Sequence, residues 1–335
     1  MSSKSAIKAV PTNIITGFLG VGKTTAILNL LKSKPANERW AVLVNEFGEI
    51  GVDGSLMQGQ YGHETGVFFR EVPGGCMCCT SGLPMQIALN QLLVKAKPDR
   101  LLIEPTGLGH PKEVLEVLSA EYYQDVLSLH KTLSIVDARK LKDIRYTDHD
   151  TFNQQIAIAD MVVGNKVDLY EDGDKVRLSD YVKQHGQSYA AVIFTQQGEI
   201  PFSQLHGKTK SQFVANHHHH HHHQEIKKTL ANDEPIPDKG FLSAINEAEG
   251  FYSIGWRISP DKVFSYQHLF SFLTGLQVER MKAVFITDAG VFGYNLTSDA
   301  LTEIQLDDCE ESRIELISGE LDNKLEDQLL NCVIA

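Results

Sequence analysis

Three stretches of this chain gather residue types that can do chemistry. Gly17-Phe18-Leu19-Gly20-Val21-Gly22-Lys23-Thr24 fits the spacing G-x-x-x-x-G-K-[ST]. Between a strand and a helix, such a loop turns successive backbone N–H groups toward phosphate oxygens, and the helix adds its positive end. Gly17, Gly20 and Gly22 let the backbone curl, Lys23 reaches the terminal phosphates, and Thr24 sets its hydroxyl on magnesium. Cys76-Met77-Cys78-Cys79 places three thiols within four residues, soft ligands suited to zinc. His217, His218, His219, His220, His221, His222 and His223 form an unbroken run of imidazoles, which take zinc, nickel, copper or cobalt with little selectivity. A phosphate-binding loop beside both ligand types predicts nucleotide hydrolysis coupled to the handling of a transition metal.

Two shorter motifs refine the nucleotide site. In Asn165-Lys166-Val167-Asp168, the Asp168 carboxylate can accept hydrogen bonds from N1–H and the 2-amino group of guanine. Adenine lacks that amine and presents an acceptor at N1, and leaving buried polar groups unpaired can reject an analogue by around 10⁴-fold. A solvated turn is the bland alternative, but the motif's place late in the sheet, with Thr195-Gln196-Gln197 beyond the next strand, favours guanine. In Glu104-Pro105-Thr106-Gly107, an acid ends a buried strand where it can hold the water shell of magnesium, and Gly107 can bring an N–H close to the γ-phosphate. The competing role for Glu104 is to cap the helix that begins near Pro111. Lys23, Glu104 and Gly107 are the catalytic candidates.

The thiol cluster is not the paired C-x-x-C of a closed zinc cage. Neighbouring Cys78 and Cys79 should diverge, so the site needs a further ligand, such as Glu49, Glu46, His63 or water. An incomplete site suits a metal donor. An inert buried cluster and a redox-active one are the alternatives. The histidine run has the composition of an engineered tag, but it lies inside the chain, followed by Gln224 and Glu225, which favours a native metal-gathering segment.

These residues need a scaffold, and the chain can supply one. With 335 residues, 42% hydrophobic and 22% charged, there is material for two domains with proper cores. A formal charge of −12 argues against a nucleic-acid binder, which would carry a basic face. No run approaches the roughly 20 apolar residues that span a bilayer, and Met1–Val10 lacks a signal-like apolar stretch, so a cytoplasmic chain with no membrane partner is expected. In that compartment thiols stay reduced, and the clustered three of the five cysteines read as ligands, apart from the isolated Cys309 and Cys332.

Strands are predicted over Asn13–Thr16, Ala41–Val44, Val67–Val72, Leu101–Ile103, Leu133–Val136, Met161–Val163 and Ala191–Phe194. Helices are predicted over Thr24–Leu31, Leu83–Lys97, Pro111–Ser119 and Lys175–His185. The alternation implies an α/β class with a mainly parallel sheet covered by helices on both faces, over residues 1–206. Residues 207–239 are polar, contain the histidine run, and read as a flexible linker. Residues 240–335 carry strands at Ser253–Ile258, Ala283–Thr287 and Arg313–Ile317 with helices at Tyr266–Leu276 and Asp322–Leu330, a second, smaller α+β domain. There is no internal repeat.

Together these residues resemble the CobW-type GTPases, metal-homeostasis proteins of the P-loop class. The resemblance rests on Gly17 to Thr25, on Asn45-Glu46-Phe47-Gly48-Glu49 with Asp53, and on Gly75 to Cys79. It extends to Glu104 to Gly107, Asn165 to Asp168, Gly255-Trp256-Arg257, Arg280-Met281-Lys282 and Glu311-Ser312-Arg313, and so covers nearly the whole chain. It implies a P-loop GTPase domain binding GTP through Gly17, Gly20, Gly22, Lys23, Thr24, Thr25, Asn165, Lys166 and Asp168. It also implies an internal metal site at the cysteine motif, often zinc, and delivery of metal to a client protein. Two departures stand out. Val44 occupies a position where an acid is common, and Ala283 one where glycine often follows Arg-x-Lys. The expectation is a slow GTPase that couples GTP to metal capture and transfer, with zinc ahead of cobalt or nickel. A metal store or sensor with GTP as a regulatory ligand is the runner-up. A small-molecule kinase would leave the cysteines unexplained.

Overall fold

Strand β1, Val10–Gly17, lies at the centre of a parallel sheet and ends in the glycine-rich loop. The computed structural model describes residues 7–45, 66–72, 83–211, 235–248, 251–297, 300–320, 322 and 324–334. They fall into two units, one built on the parallel sheet and one on a C-terminal antiparallel sheet.

The strands of the first sheet are short apolar runs: β2 Trp40–Asn45, β3 Val67–Val72, β4 Arg100–Glu104, β5 Leu127–Leu129, β6 Leu133–Val136, β7 Met161–Gly164 and β8 Ala191–Phe194. Their order is β3-β2-β4-β1-β6-β7-β8, with β5 pairing the opening residues of β1, and every pairing is parallel. Burial on both sides explains the apolar character of the inner strands β4, β6 and β7, while the edge strands β3 and β8 are only partly buried. On one face Ala41, Leu43, Leu101 and Ile103 form a core with Leu89, Leu92 and Leu93 of helix Leu83–Ala96 and Leu115 of helix Pro111–Leu118. Side chains of opposite parity, such as Val42, Leu102 and Ile15, are as fully buried. Helix α1, Lys23–Lys32, lies outside that core and contacts β1 and β4 instead, so both faces are covered, as expected. Neighbours of β1 are reached in opposite directions, β4 on one side and β6 on the other. In open α/β sheets that switch point is where ligands bind, at the carboxyl ends of the strands.

Two helices in this unit went unpredicted, Ile144–Thr147 and Asp150–Ala157. The second is polar in sequence, yet Thr151, Phe152, Gln155 and Ile156 are buried. Residues 207–211, the opening of the expected linker, lie along the amino ends of the strands. Lys131 N donates to Gly207 O at 3.0 Å, Lys210 N to Asp160 Oδ1 at 2.8 Å, and Ser211 Oγ to Ile158 O at 2.7 Å.

The second unit is a six-stranded antiparallel sheet in the order β13-β12-β11-β14-β10-β9. Its strands are β9 Phe241–Ala248, β10 Phe251–Ile258, β11 Arg280–Thr287, β12 Gly290–Thr297, β13 Leu301–Leu306 and β14 Ser312–Ser318. Strands β9, β12 and β13 add to the three that were expected. The closing helix is shorter than predicted, Leu325–Leu330. Strand alternation sends Trp256, Met281, Ala283, Ile314 and Leu316 into a core with Leu269, Leu273, Leu325 and Leu329 of its two helices. Ala283 is fully buried there, so the departure at this position keeps the packing intact.

Residues of the other parity form a charged network. Arg257 and Arg313 stand directly opposite each other, and Glu311 offsets that repulsion by accepting from Arg257 Nε at 2.6 Å and lying 2.8 Å from Arg313 Nε. Ser253 Oγ donates to Glu315 Oε1 at 2.6 Å, and Lys282 sits across the ladder from Glu315. No described helix is long and apolar enough to cross a membrane.

Candidate nucleotide site

The carboxyl ends of β1, β4, β6 and β7 converge on the glycine-rich loop. Lys23, 5% exposed, folds back so that its ammonium donates to Gly17 O at 2.9 Å and Phe18 O at 3.1 Å. These loop carbonyls hold the lysine where terminal phosphates would draw it. One residue on, Thr24 Oγ1 donates to Glu104 Oε1 at 3.1 Å. A hydroxyl and a carboxylate from neighbouring elements thus form a hard-oxygen pair. The alternative role for Glu104 finds no support: the N-cap of helix Pro111–Leu118 is His110, with no side-chain capping bond. Thr25 is exposed at the start of the helix.

Gly22 and Gly107 are glycines for reasons the geometry makes plain. Gly22 has φ +97°, and a Cβ there would lie 2.6 Å from Asn165 Nδ2. A Cβ on Gly107 would lie 2.8 Å from Leu19 Cδ2 and 3.0 Å from Leu19 N, so its main chain presses against the phosphate loop. Glu104, Gly107, Lys23 and Thr24 are therefore brought together.

Asn165 is 2% exposed and its carboxamide is committed to the protein. Its Nδ2 donates to Val21 O at 2.9 Å, and its Oδ1 accepts from Gly198 N at 2.9 Å. One side chain thus ties the phosphate loop to the loop after β8. Lys166 adopts a left-handed backbone, φ +64°, and its ammonium lies 4.0 Å from Asp137 Oδ2. Asp137 is itself gripped by Arg139, Nε at 3.0 Å and Nη2 at 2.6 Å. Asp168, on the short 3₁₀ turn Val167–Leu169, is exposed and available to a base. Sequence reading missed Gly198 and the Asp137–Arg139 pair. A glycine directly after Thr195-Gln196-Gln197 was the available signal for the first.

Helix Asp150–Ala157 closes the site from the side. His149 and Phe152 set their rings 4.8 and 6.0 Å from that of Phe18 in the phosphate loop. Gln155 Nε2 donates to Gly107 O at 3.0 Å. Nothing in the spacing of Asn153-Gln154-Gln155 marked the latter as part of a site.

The expected metal ligands Cys76, Cys78, Cys79 and Glu49, the supplementary candidates Glu46 and His63, Asp53, and His217 through His223 all lie outside the described residues. Among the described residues no group of three or more His, Cys, Asp or Glu is arranged to hold a metal. Val44, at the position where an acid was the alternative, is buried and stands opposite Glu104 in the ladder. Strands β2 and β3, which lead to Glu49 and Cys76, end side by side, Asn45 paired with Val72. Burial pushes the Cys309 thiol up to about 11, aided by Asp308, and raises Cys332 as well. Both stay protonated thiols near neutrality, poor ligands and poor nucleophiles.

Comparison with known proteins gives a consistent set of relatives. Residues 11–193 match the family described as CobW/HypB/UreG, nucleotide-binding domain. The chain is 41% identical over 329 residues to the zinc chaperone YeiR of Escherichia coli strain K12, covering 97% of this chain and 98% of that one. It is 33% identical over 169 residues to the zinc-regulated GTPase metalloprotein activator 1 of Schizosaccharomyces pombe, covering 49% and 41%. A solved structure of Zn(II)-bound YjiA GTPase from E. coli aligns over 97% of this chain and 99% of that one, with a TM-score of 0.45 and 18% identity.

Proposed function

The chain belongs to the CobW/HypB/UreG nucleotide-binding family, and from that membership we propose a GTP-hydrolysing metallochaperone that carries zinc to a client protein. The observation that carries the reading is the contact of Thr24 with Glu104, which sits one strand away from the paired ends of β2 and β3. It joins the phosphate loop to β4, whose neighbour β2 pairs with the strand that leads to the thiol segment.

In this reading the backbone of Gly17, Gly20 and Gly22 and the side chain of Lys23 hold the triphosphate, with Thr25 beside them. Asp168 accepts from guanine N1–H and the 2-amino group, Lys166 flanks the base, and Asn165 keeps the two loops in register. Thr24 and Glu104 fit magnesium, a hard cation that takes oxygen ligands and, when bound, neutralises charge on the β- and γ-oxygens. Gly107 supplies an N–H near the γ-phosphate, so loss of that phosphate frees the Glu104–Gly107 segment.

Zinc is the cargo, with Cys76, Cys78, Cys79 and Glu49 as its ligands. Three residues separate Val72 from Cys76 and Asn45 from Glu49, four peptide steps with a reach of at most about 14 Å from neighbouring points of the sheet. The histidine run gathers metal at high local concentration. The test removes His217–His223 and compares that protein with the same protein carrying Cys78→Ala. Bound zinc should fall from about one per chain toward zero while GTP affinity stays within about twofold, the tightest tetrahedral site having lost a thiolate. Equal zinc content in the two would refute the ligand assignment. Absence of any GTP cleavage under single-turnover conditions would refute the enzymatic reading.

A further inference from the structure

We propose that Gln155 is a positioning residue for hydrolysis: from helix Asp150–Ala157 it sets the main chain at Gly107 against the phosphate loop. The inference rests on the GTPase reading of this site and concerns how its Glu104–Gly107 segment is held. Gln155 is 1% exposed, and its Nε2 donates to Gly107 O at 3.0 Å. Its Oε1 is buried too and has no hydrogen-bond partner among the described residues. Buried polar atoms are nearly always paired, so an orphan acceptor beside a functional loop calls for an explanation.

Packing alone does not require a carboxamide here: an apolar side chain of similar volume would fill the space and remove the orphan Oε1, at the cost of the Gly107 carbonyl's donor. What a carboxamide adds is a donor and an acceptor on one head. The donor holds the Gly107 carbonyl. The acceptor is in place for a main-chain N–H of the same segment when a γ-phosphate draws it.

The rest of the helix supports this role. Thr151, one turn earlier on the same face, places Oγ1 at 3.3 Å from His110 Nδ1, three residues beyond the segment's end at Gly107. Phe152 and His149 bear on Phe18 of the phosphate loop. Gly107 is too close to Leu19 for a side chain of its own. One helix therefore contacts both the loop that holds the phosphates and the segment that would register loss of the last one.

The test uses full-length Gln155→Met, which keeps volume and removes both hydrogen-bonding atoms, together with Thr151→Val. Single-turnover GTP cleavage and the affinities for GDP and for a non-hydrolysable GTP analogue are measured with magnesium, alongside thermal unfolding. Gln155→Met should slow cleavage about tenfold or more, misplacement by an ångström being enough for that. It should weaken the analogue by about threefold while leaving GDP within about twofold. Thr151→Val should give the same pattern, reduced to about two- to threefold.

A purely structural role would lower GDP and analogue affinity together, and that result in a folded Gln155→Met protein overturns the proposal. So does unchanged cleavage with an unchanged ratio of analogue to GDP affinity. Should Gln155→Met not fold, a Thr151→Val protein that matches wild type in all these measurements overturns it equally. A wild-type protein that cleaves no GTP refutes the hydrolytic reading, and the ratio of analogue to GDP affinity in the variants still decides the role of Gln155.

Discussion

At the amino ends of the parallel strands, Arg100 and Asn13 are buried and committed to each other and to the backbone. Arg100 Nη1 donates to Asn13 Oδ1 at 2.7 Å, and Asn13 Nδ2 donates to the carbonyls of Lys131 and Leu205 at 3.0 and 2.9 Å. Trp40 and Phe202 lie under the guanidinium, and burial pulls its pKa below the ordinary value against the opposing pull of Glu38. At the carboxyl ends the same residue types appear in a different economy. Asn165 bridges two loops, Lys23 rests on loop carbonyls, and Asp168 points to solvent. One pole fastens strands together. The other fastens loops to each other, with Lys23 held by loop carbonyls and Asp168 exposed, and is where the proposed ligand would bind. A buried asparagine or a buried cation alone does not mark a site. What marks it is a constellation whose protein partners are replaceable by a ligand.

The sharpest way to break this contrast is at the two cations. Lys23→Ala should weaken GTP binding by about 100-fold or more, since charge-assisted contacts to phosphate are lost, yet leave thermal stability almost unchanged. Nucleotide titration and thermal unfolding on the same sample decide it, and a large stability loss would place Lys23 with the structural pole. Arg100→Met should do the reverse. It leaves Asn13 Oδ1 without its donor, so stability should fall by about 2–3 kcal/mol in urea unfolding, while GTP affinity of the folded fraction stays within about twofold. A smaller effect, confined to specificity, is expected at Asp168→Asn. An amide accepts one of the two guanine bonds and donates where the other was accepted, so GTP should weaken by about tenfold to 100-fold while xanthosine triphosphate gains. Competition between the two nucleotides reads this directly, and an unchanged preference would remove Asp168 from the base site.

Much of this was legible before any coordinates. Leu133–Val136 was read with its observed limits because a parallel strand buried on both faces leaves a short apolar run, whereas the partly buried edge strands Val67–Val72 and Ala191–Phe194 were read from their β-branched and aromatic residues. The sequence grouped the phosphate loop with Glu104, Gly107 and the Asn165–Asp168 turn, and the fold does bring Lys23, Thr24, Glu104, Gly107 and Asn165 together at the carboxyl ends of the strands. Helix Asp150–Ala157 was not legible, since its buried face includes Thr151 and Gln155, and a hydrophobic period is the signal such reading depends on. Strand β13 escaped for the opposite reason: as an edge strand it is exposed along most of its length. In the C-terminal sheet, the motif residues Trp256 and Arg257 turned out to serve opposite faces, core and charged network, a division that strand alternation imposes and no motif spells out.

The central claim is that metal held by the thiol segment and nucleotide held by the phosphate loop are coupled. Coupling in binding is reciprocal, so each must change the affinity of the other by the same factor. The most direct measurement is calorimetric titration of the magnesium complex of a non-hydrolysable GTP analogue into protein lacking His217–His223, with and without one equivalent of zinc, in wild-type and Cys78→Ala backgrounds. The account predicts that zinc changes the affinity by about fivefold or more in the first background and not in the second. Identical affinities with and without zinc in the wild-type background would contradict it.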